Sequence, residues 1–248
     1  VFRGIGTVVN VLTVLAGSSL GVLLGNRLPQ RTREVVTDAL GLVTLLIAAT
    51  SAFAVGDQVL AAAVGDSAPV LIVLASLVIG GVAGSLLRLE NRLEDVGQVL
   101  QKRLTRGAAS EERRRFVEGF VTASLVFCVG PLTILGSVSD GLGRGADQLF
   151  LKATLDGFAA IAFAASFGWG VTASALAVLV IQGVLTLVGA IAGDFMSEAQ
   201  IVALTATGGL LLVGVALRLL RMKQLPVGDL LPALLVAPLL TALVAAFR

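Results

Sequence analysis

The sequence predicts an all-α integral membrane protein of about eight transmembrane helices, on three observations: the composition, the length of the uncharged runs and the placement of the basic residues. Of the 248 residues, 56% are apolar and only 14% carry a charge, whereas roughly a quarter are charged in soluble domains. Charges divide the chain into uncharged runs at 4–26, 39–56, 67–87, 119–139, 157–193, 199–217 and 230–247. All but one are close to the ~20 residues that cross a bilayer core as a helix. The run 157–193, with 37 residues, would reach about 55 Å as a single helix, so Gly168-Trp169-Gly170 is expected to turn it into two spans.

Fourteen of the 18 Lys and Arg residues fall in three stretches, 27–33, 88–115 and 218–223. Successive spans alternate in direction, so these stretches share one side. The positive-inside rule makes that side the cytoplasm, which puts both termini outside a cytoplasmic (inner) membrane. The opening VFRGIGTVVN precedes no cleavage-site pattern, so the first apolar run is read as a retained span. With no histidine and Cys128 as the one cysteine, zinc, copper, haem and iron–sulfur sites lack ligands. No metal and no cofactor is expected.

The first span, about 4–26, carries Asn10 and the series Gly17, Gly21 and Gly25, whose spacing of four makes a face that a second helix can approach closely. The second, about 35–55, is expected to place Glu34 and Asp38 near its first turn, where carboxylates complement the helix dipole. A loop at Asp57 and Asp66 leads to the third span, entered through Ala68-Pro69 and carrying Gly80, Gly81 and Gly84 for close packing. The whole of 1–248 reads as one polytopic domain. Within it, 86–115 forms a cytoplasmic amphipathic helix, with Leu89, Leu93, Val96, Leu100 and Leu104 on its apolar face, followed by a basic loop. Such a face suits the membrane surface or a second copy of the chain. Glu111 and Glu112 flank the basic run Arg113-Arg114-Arg115 and no aromatic platform interleaves it, so it marks topology and not nucleic acid.

Nearly all the polar chemistry within apolar sequence lies between Arg113 and Gly170. The fourth span, about 116–138, holds Glu118 and Thr122 on one face and Ser124 and Cys128 on another. The step Gly130-Pro131 is expected to break this span near mid-bilayer, because Pro131 has no N–H for the carbonyl of Phe127. The break exposes backbone groups to an ion, or it is a kink filled by a neighbouring side chain. An outer loop holding Asp140, Arg144 and Asp147 is expected to lead to the fifth span, which opens with Lys152 and Asp156, four apart on one helix face. An Asp near the centre of a span costs about 2.5 to 3.5 kcal/mol on insertion scales, so another gain must hold it there. Either Asp156 serves a site, or it pairs with Lys152. The last three spans contain Gln182, Gly189 and Gly193, then the apolar run 199–217, then Pro232 and Pro238.

Spans 1 to 3 and 6 to 8 look alike. Asn10, Gly17 and Gly21 match Gln182, Gly189 and Gly193; Thr37, Gly41 and Leu42 match Thr205, Gly209 and Leu210; Pro69 matches Pro232. An offset of five spans makes the halves an inverted repeat around the central pair of spans 4 and 5, an architecture of transporters. The blocks IGTVVN, LLGNRLP, FVEGFVTASLVFCVG, SVSDGL and LDGFAAIAFAASFGWG make the chain, over roughly 4–248, resemble the bacterial inner-membrane family called domain of unknown function 554, of YdfK and YqgA type. The resemblance implies a multi-spanning membrane protein of a kind described as transporters, with no agreed substrate or catalytic residue. Pro131 stands where a small residue such as Ala is expected in that family, so the resemblance does not itself imply the broken span.

These observations together lead to the expectation of a transporter or channel. It would move a small ion, a hard cation or proton, or a small solute, with Glu118 and Asp156 bearing charge and Thr122, Ser124 and Asn10 as neutral ligands beside Lys152. A non-transporting scaffold or regulator acting through the 86–106 helix is the alternative. No nucleophile–base pair, metal set or phosphate loop points to an enzyme. The expected partners are the lipid bilayer and the transported species, and the surface helix is compatible with a homo-oligomer.

Overall fold

The computed structural model describes residues 2–25, 29–104, 110–128, 131–192 and 196–247, and every regular element among them is helical. In chain order they are α1 (Ile5–Gly25), α2 (Gln30–Ala52), α3 (Gln58–Val64), α4 (Ala68–Leu87), α5 (Leu89–Leu104), α6 (Ser110–Cys128), α7 (Pro131–Gly141), α8 (Asp147–Phe167), α9 (Trp169–Ala192), α10 (Glu198–Leu219), α11 (Val227–Leu230) and α12 (Ala233–Ala246), with a 3-10 turn at Phe53–Gly56. Seven helical stretches among the described residues are long and apolar enough to cross a membrane. The bent pair α6 and α7 makes an eighth if it counts as one span. The chain is a multi-pass, all-α membrane protein.

Its helices gather into two compact units, Val1–Leu40 with Leu93–Asp194 and Gly41–Arg92 with Phe195–Arg248. In the first, α1 lies along α8 through small residues. A Cβ at Gly17 would meet the carbonyl oxygen of Gly157, one at Gly21 that of Ile161, and one at Gly25 that of Ala165. The glycine face read from the sequence is therefore a packing seam. The expected turn also forms: α8 stops at Phe167, Gly168 takes φ +76, and α9 starts at Trp169. Only a residue without a Cβ adopts that φ freely. At the same end, Arg115 Nη2 donates to the carbonyl of Ser166 at 2.6 Å, and Gly170 lies against the backbone of Phe116.

A sharp bend stands between Cys128 and Pro131, where the fourth span was expected to break. Helix α6 ends at Cys128, α7 starts at Pro131, and their axes differ by 76°. Gly130 and its neighbour Val129 lie outside the described residues. The hydroxyl of Thr133 donates to the carbonyl of Phe127 at 3.2 Å, supplying the bond that proline withholds. Helix α7 then runs to the start of α1, where Asp140 accepts from the N–H of Gly6 at 2.9 Å and of Gly4 at 3.1 Å. Asp140 is thus a buried helix residue capping α1, not part of a loop as its position between spans suggested.

In the second unit, Gly80 and Gly84 of α4 let the backbones of Ala233 and Asp229 come close, and Gly209 of α10 does the same for the end of α2. The stretch expected as a loop between Asp57 and Asp66 contains α3, capped by the Asp57 carboxylate on the N–H of Val59 at 2.8 Å. Leu60 and Val64 of α3 are buried with Ile72, Ala203 and Ala237, because a short apolar helix lowers its free energy by packing. Glu90 accepts from Arg218 Nη2 and from the N–H of Gly228, both at 2.6 Å, while Asp229 accepts from the N–H of Glu90 at 2.9 Å.

Two further expectations are corrected. Helix α2 begins at Gln30, so Glu34 sits a turn inside it, accepts from the Gln30 amide at 3.1 Å, and is not at the dipole-complementing end. On α5, Val96 is 49% exposed while Glu90, Gly97 and Gln101 are buried. The inward stripe is thus rotated from the leucine pattern. Gly97 faces Phe120 and Val117 of α6 in the first unit, where a bulkier residue would not fit.

Candidate functional site

The strongest polar constellation lies in the first unit, on α1, α8 and α9. One turn of α8 separates Lys152 from Asp156, and the ammonium donates to both carboxylate oxygens, at 2.7 Å and 3.0 Å. Asn10 of α1 donates its amide to Asp156 Oδ2 at 3.0 Å. The glycine seam makes this contact geometrically available, since it holds α1 close enough to α8 for a short side chain to reach across. Asn10 is fully buried, and Lys152 and Asp156 are 6% and 7% exposed. Three of the residues singled out in the sequence are thus brought into direct contact.

Helix α9 completes the surroundings. It starts beside Phe116 at the end where Arg115 meets Ser166, and it reaches Thr7 of α1 at the other end, so it runs antiparallel to α1. Thr7 and Thr186 hydroxyls are 3.3 Å apart. One turn inward from that pair are Asn10 on α1 and Gln182 on α9, each on the face of its threonine. Gln182 is completely buried, and neither its oxygen nor its nitrogen has a hydrogen-bond partner among the described residues. Asn10 Oδ1 is unpartnered as well. Buried amide groups left without partners cost about 1–3 kcal/mol each, and this layer carries three such atoms among the described residues.

Other sequence candidates fall around this core. Cys128, at the end of α6, is within electrostatic reach of both Lys152 and Asp156. Thr122 and Ser124 are buried on α6, and Ser124 Oγ has no partner among the described residues. Glu118 is not brought to Asp156. It is half-buried at the middle of α6, where Gly119 packs on Phe167, and Phe167 lies about 16 Å along α8 from Asp156. Among the described residues no three His, Cys, Asp or Glu side chains gather as metal ligands. Gln182 is the residue that the sequence reading noted without placing in the site. Its signal was the repeat, in which it is the counterpart of Asn10.

Known proteins resemble the chain along nearly its whole length. The family described as Protein of unknown function (DUF554) matches residues 5–242. "Uncharacterized membrane protein YdfK" of Bacillus subtilis (strain 168) is 28% identical over 242 residues, covering 98% of this chain and 97% of the relative. "Uncharacterized protein YqgA" of Escherichia coli (strain K12) is 31% identical over 238 residues, covering 96% of each. No solved structure matches.

Proposed function

The chain belongs to the DUF554 family and is a multi-pass membrane protein; on that premise we propose that it moves a small ion or solute across the cytoplasmic membrane through its first unit. The observation that carries this reading is the buried Lys152–Asp156 pair, bonded to Asn10 and adjoining the unpartnered amide of Gln182. Ionisable groups inside a membrane domain usually mark a transport path. The ammonium already fills the place beside Asp156 that a bare hard cation would take. Asp156 therefore handles a proton, or a solute that draws Lys152 away. In this reading Glu118 lies at the other end of the same path.

Each unit also pairs a first-half helix with its repeat counterpart, α1 with α9 and α4 with α12, which supports interlocked inverted halves of the kind that form transport sites. The basic stretches 27–33, 88–115 and 218–223 face the cytoplasm, and both termini lie outside. The scaffold alternative has less support: α5 offers Val96 and Val99 to a partner, but Gly97 is already packed within the first unit. Liposome flux measured across a panel of ions, with and without a pH gradient, tests transport. Asp156→Asn, which removes the charge and keeps the shape, should abolish the flux or its dependence on pH. Wild-type flux in Asp156→Asn would remove this site from the path.

A further inference from the structure

A groove of about 370 Å³ opens between the start of α1 and the far half of α9. Its walls are Val8, Leu179 and Leu187, its polar lining includes the Thr7–Thr186 pair, and Arg3 is the one charged residue among those lining it. Asp140 has its two oxygens on the amides of Gly4 and Gly6, and Arg3 takes part in none of the ion pairs found among the described residues. Behind the threonines stands the unpartnered Gln182 amide, and beyond Asn10 stands Lys152. Counted inward, these groups are a guanidinium, two hydroxyls, the Gln182 amide with both its nitrogen and its oxygen unpartnered among the described residues, and an ammonium paired with Asp156.

We propose that this groove binds a small organic monoanion, a carboxylate with a short apolar body, as the entry subsite of the transport path. Arg3 holds the carboxylate by a charge-assisted fork, and Val8, Leu179 and Leu187 cover the apolar body. One hydroxyl of the threonine pair donates to its partner, which leaves the other free to donate to the ligand. Parting that pair exposes Gln182, whose N–H groups receive the anion next. A cation finds no acceptor of opposite charge along this lining. The proposal names the substrate class of the path inferred above and rests on that reading.

The test compares three ligands of one shape, butyrate, butyramide and butylammonium, by calorimetry on the purified full chain in detergent. Butyrate should bind most tightly. Arg3→Gln should weaken it by about tenfold or more, the scale of a lost charge-assisted bond, with an unchanged melting temperature because Arg3 is exposed. Arg3→Lys should recover part of the affinity. Equal binding of all three ligands, preference for butylammonium, or Arg3→Gln with wild-type affinity for butyrate would overturn the proposal. So would phospholipid retained in native mass spectrometry that butyrate does not displace, which would assign the groove to lipid. Absence of butyrate binding with intact Asp156-dependent flux refutes the groove alone. Arg3-dependent butyrate binding without any flux supports the groove and refutes the transport reading.

Discussion

Lys152 Nζ lies 2.7 Å from Asp156 Oδ2 across one turn of α8, and neither side chain is more than 9% exposed. Two opposite charges this deeply buried hold each other in place, and removing either leaves the other without compensation. Such one-sided removal costs about 3–5 kcal/mol, while replacing both partners with neutral groups of similar volume is often tolerated. Asp156→Asn should therefore lower the melting temperature of the purified protein, and Lys152→Met with Asp156→Asn should restore most of it. If the double variant is as unstable as the single one, the ion pair is not what Asp156 contributes to the fold.

The contact between α1 and α8 makes a second prediction. At Gly21 a side chain would run into the carbonyl of Ile161 and approach Ala164 Cβ to 2.8 Å. Backbone on the far side leaves no flexible side-chain end to move aside. Gly21→Val should destabilise the protein by about 1–3 kcal/mol, the usual range for overpacking, and it should also separate Asn10 from Asp156. Gly183→Ala is the control, since a Cβ there meets nothing within 4 Å and alanine favours a helix by up to about 1 kcal/mol. Equal melting temperatures for Gly21→Val and wild type would show that the seam is not tight.

Features set by local chemistry were legible in the sequence. The spans followed from uncharged length, the turn at Gly168 from a run too long to cross once, and the break at Pro131 from its missing N–H. The i, i+4 spacing of Lys152 and Asp156 made their pairing readable too. Contacts made across the fold were not. Asn10 meets Asp156 over 146 positions of chain, and nothing local distinguishes an amide that crosses to α8 from one that bonds elsewhere. Asp140 looked like a loop acid because its partners, Gly4 and Gly6, lie at the other end of the unit's sequence. Glu118 and Asp156 shared a residue class but not a position, since the neighbour of Glu118 packs on Phe167 at the end of α8 while Asp156 sits at the middle of that helix. The short helix α3 was hidden because an apolar stretch of seven residues is too brief to show a period.

Orientation makes the last prediction. The lopsided placement of basic residues puts the turn before α4 and the turn before α8 outside, and the stretch after α10 inside. Single cysteines in a Cys128→Ser background report which side each reaches. The structure decides where they can go: Leu60 is fully buried on α3 and would not react, whereas Asp66, Gln148 and Lys223 are exposed. In intact cells, Asp66→Cys and Gln148→Cys should be modified by a thiol reagent that does not cross the membrane. Lys223→Cys should react only after the membrane is permeabilised. Labelling of Asp66→Cys and Lys223→Cys from the same side is incompatible with the alternation of spans and would mean that one long helix between them does not cross. Uniform inversion, with Lys223→Cys alone reactive in intact cells, would keep the span count and overturn the orientation.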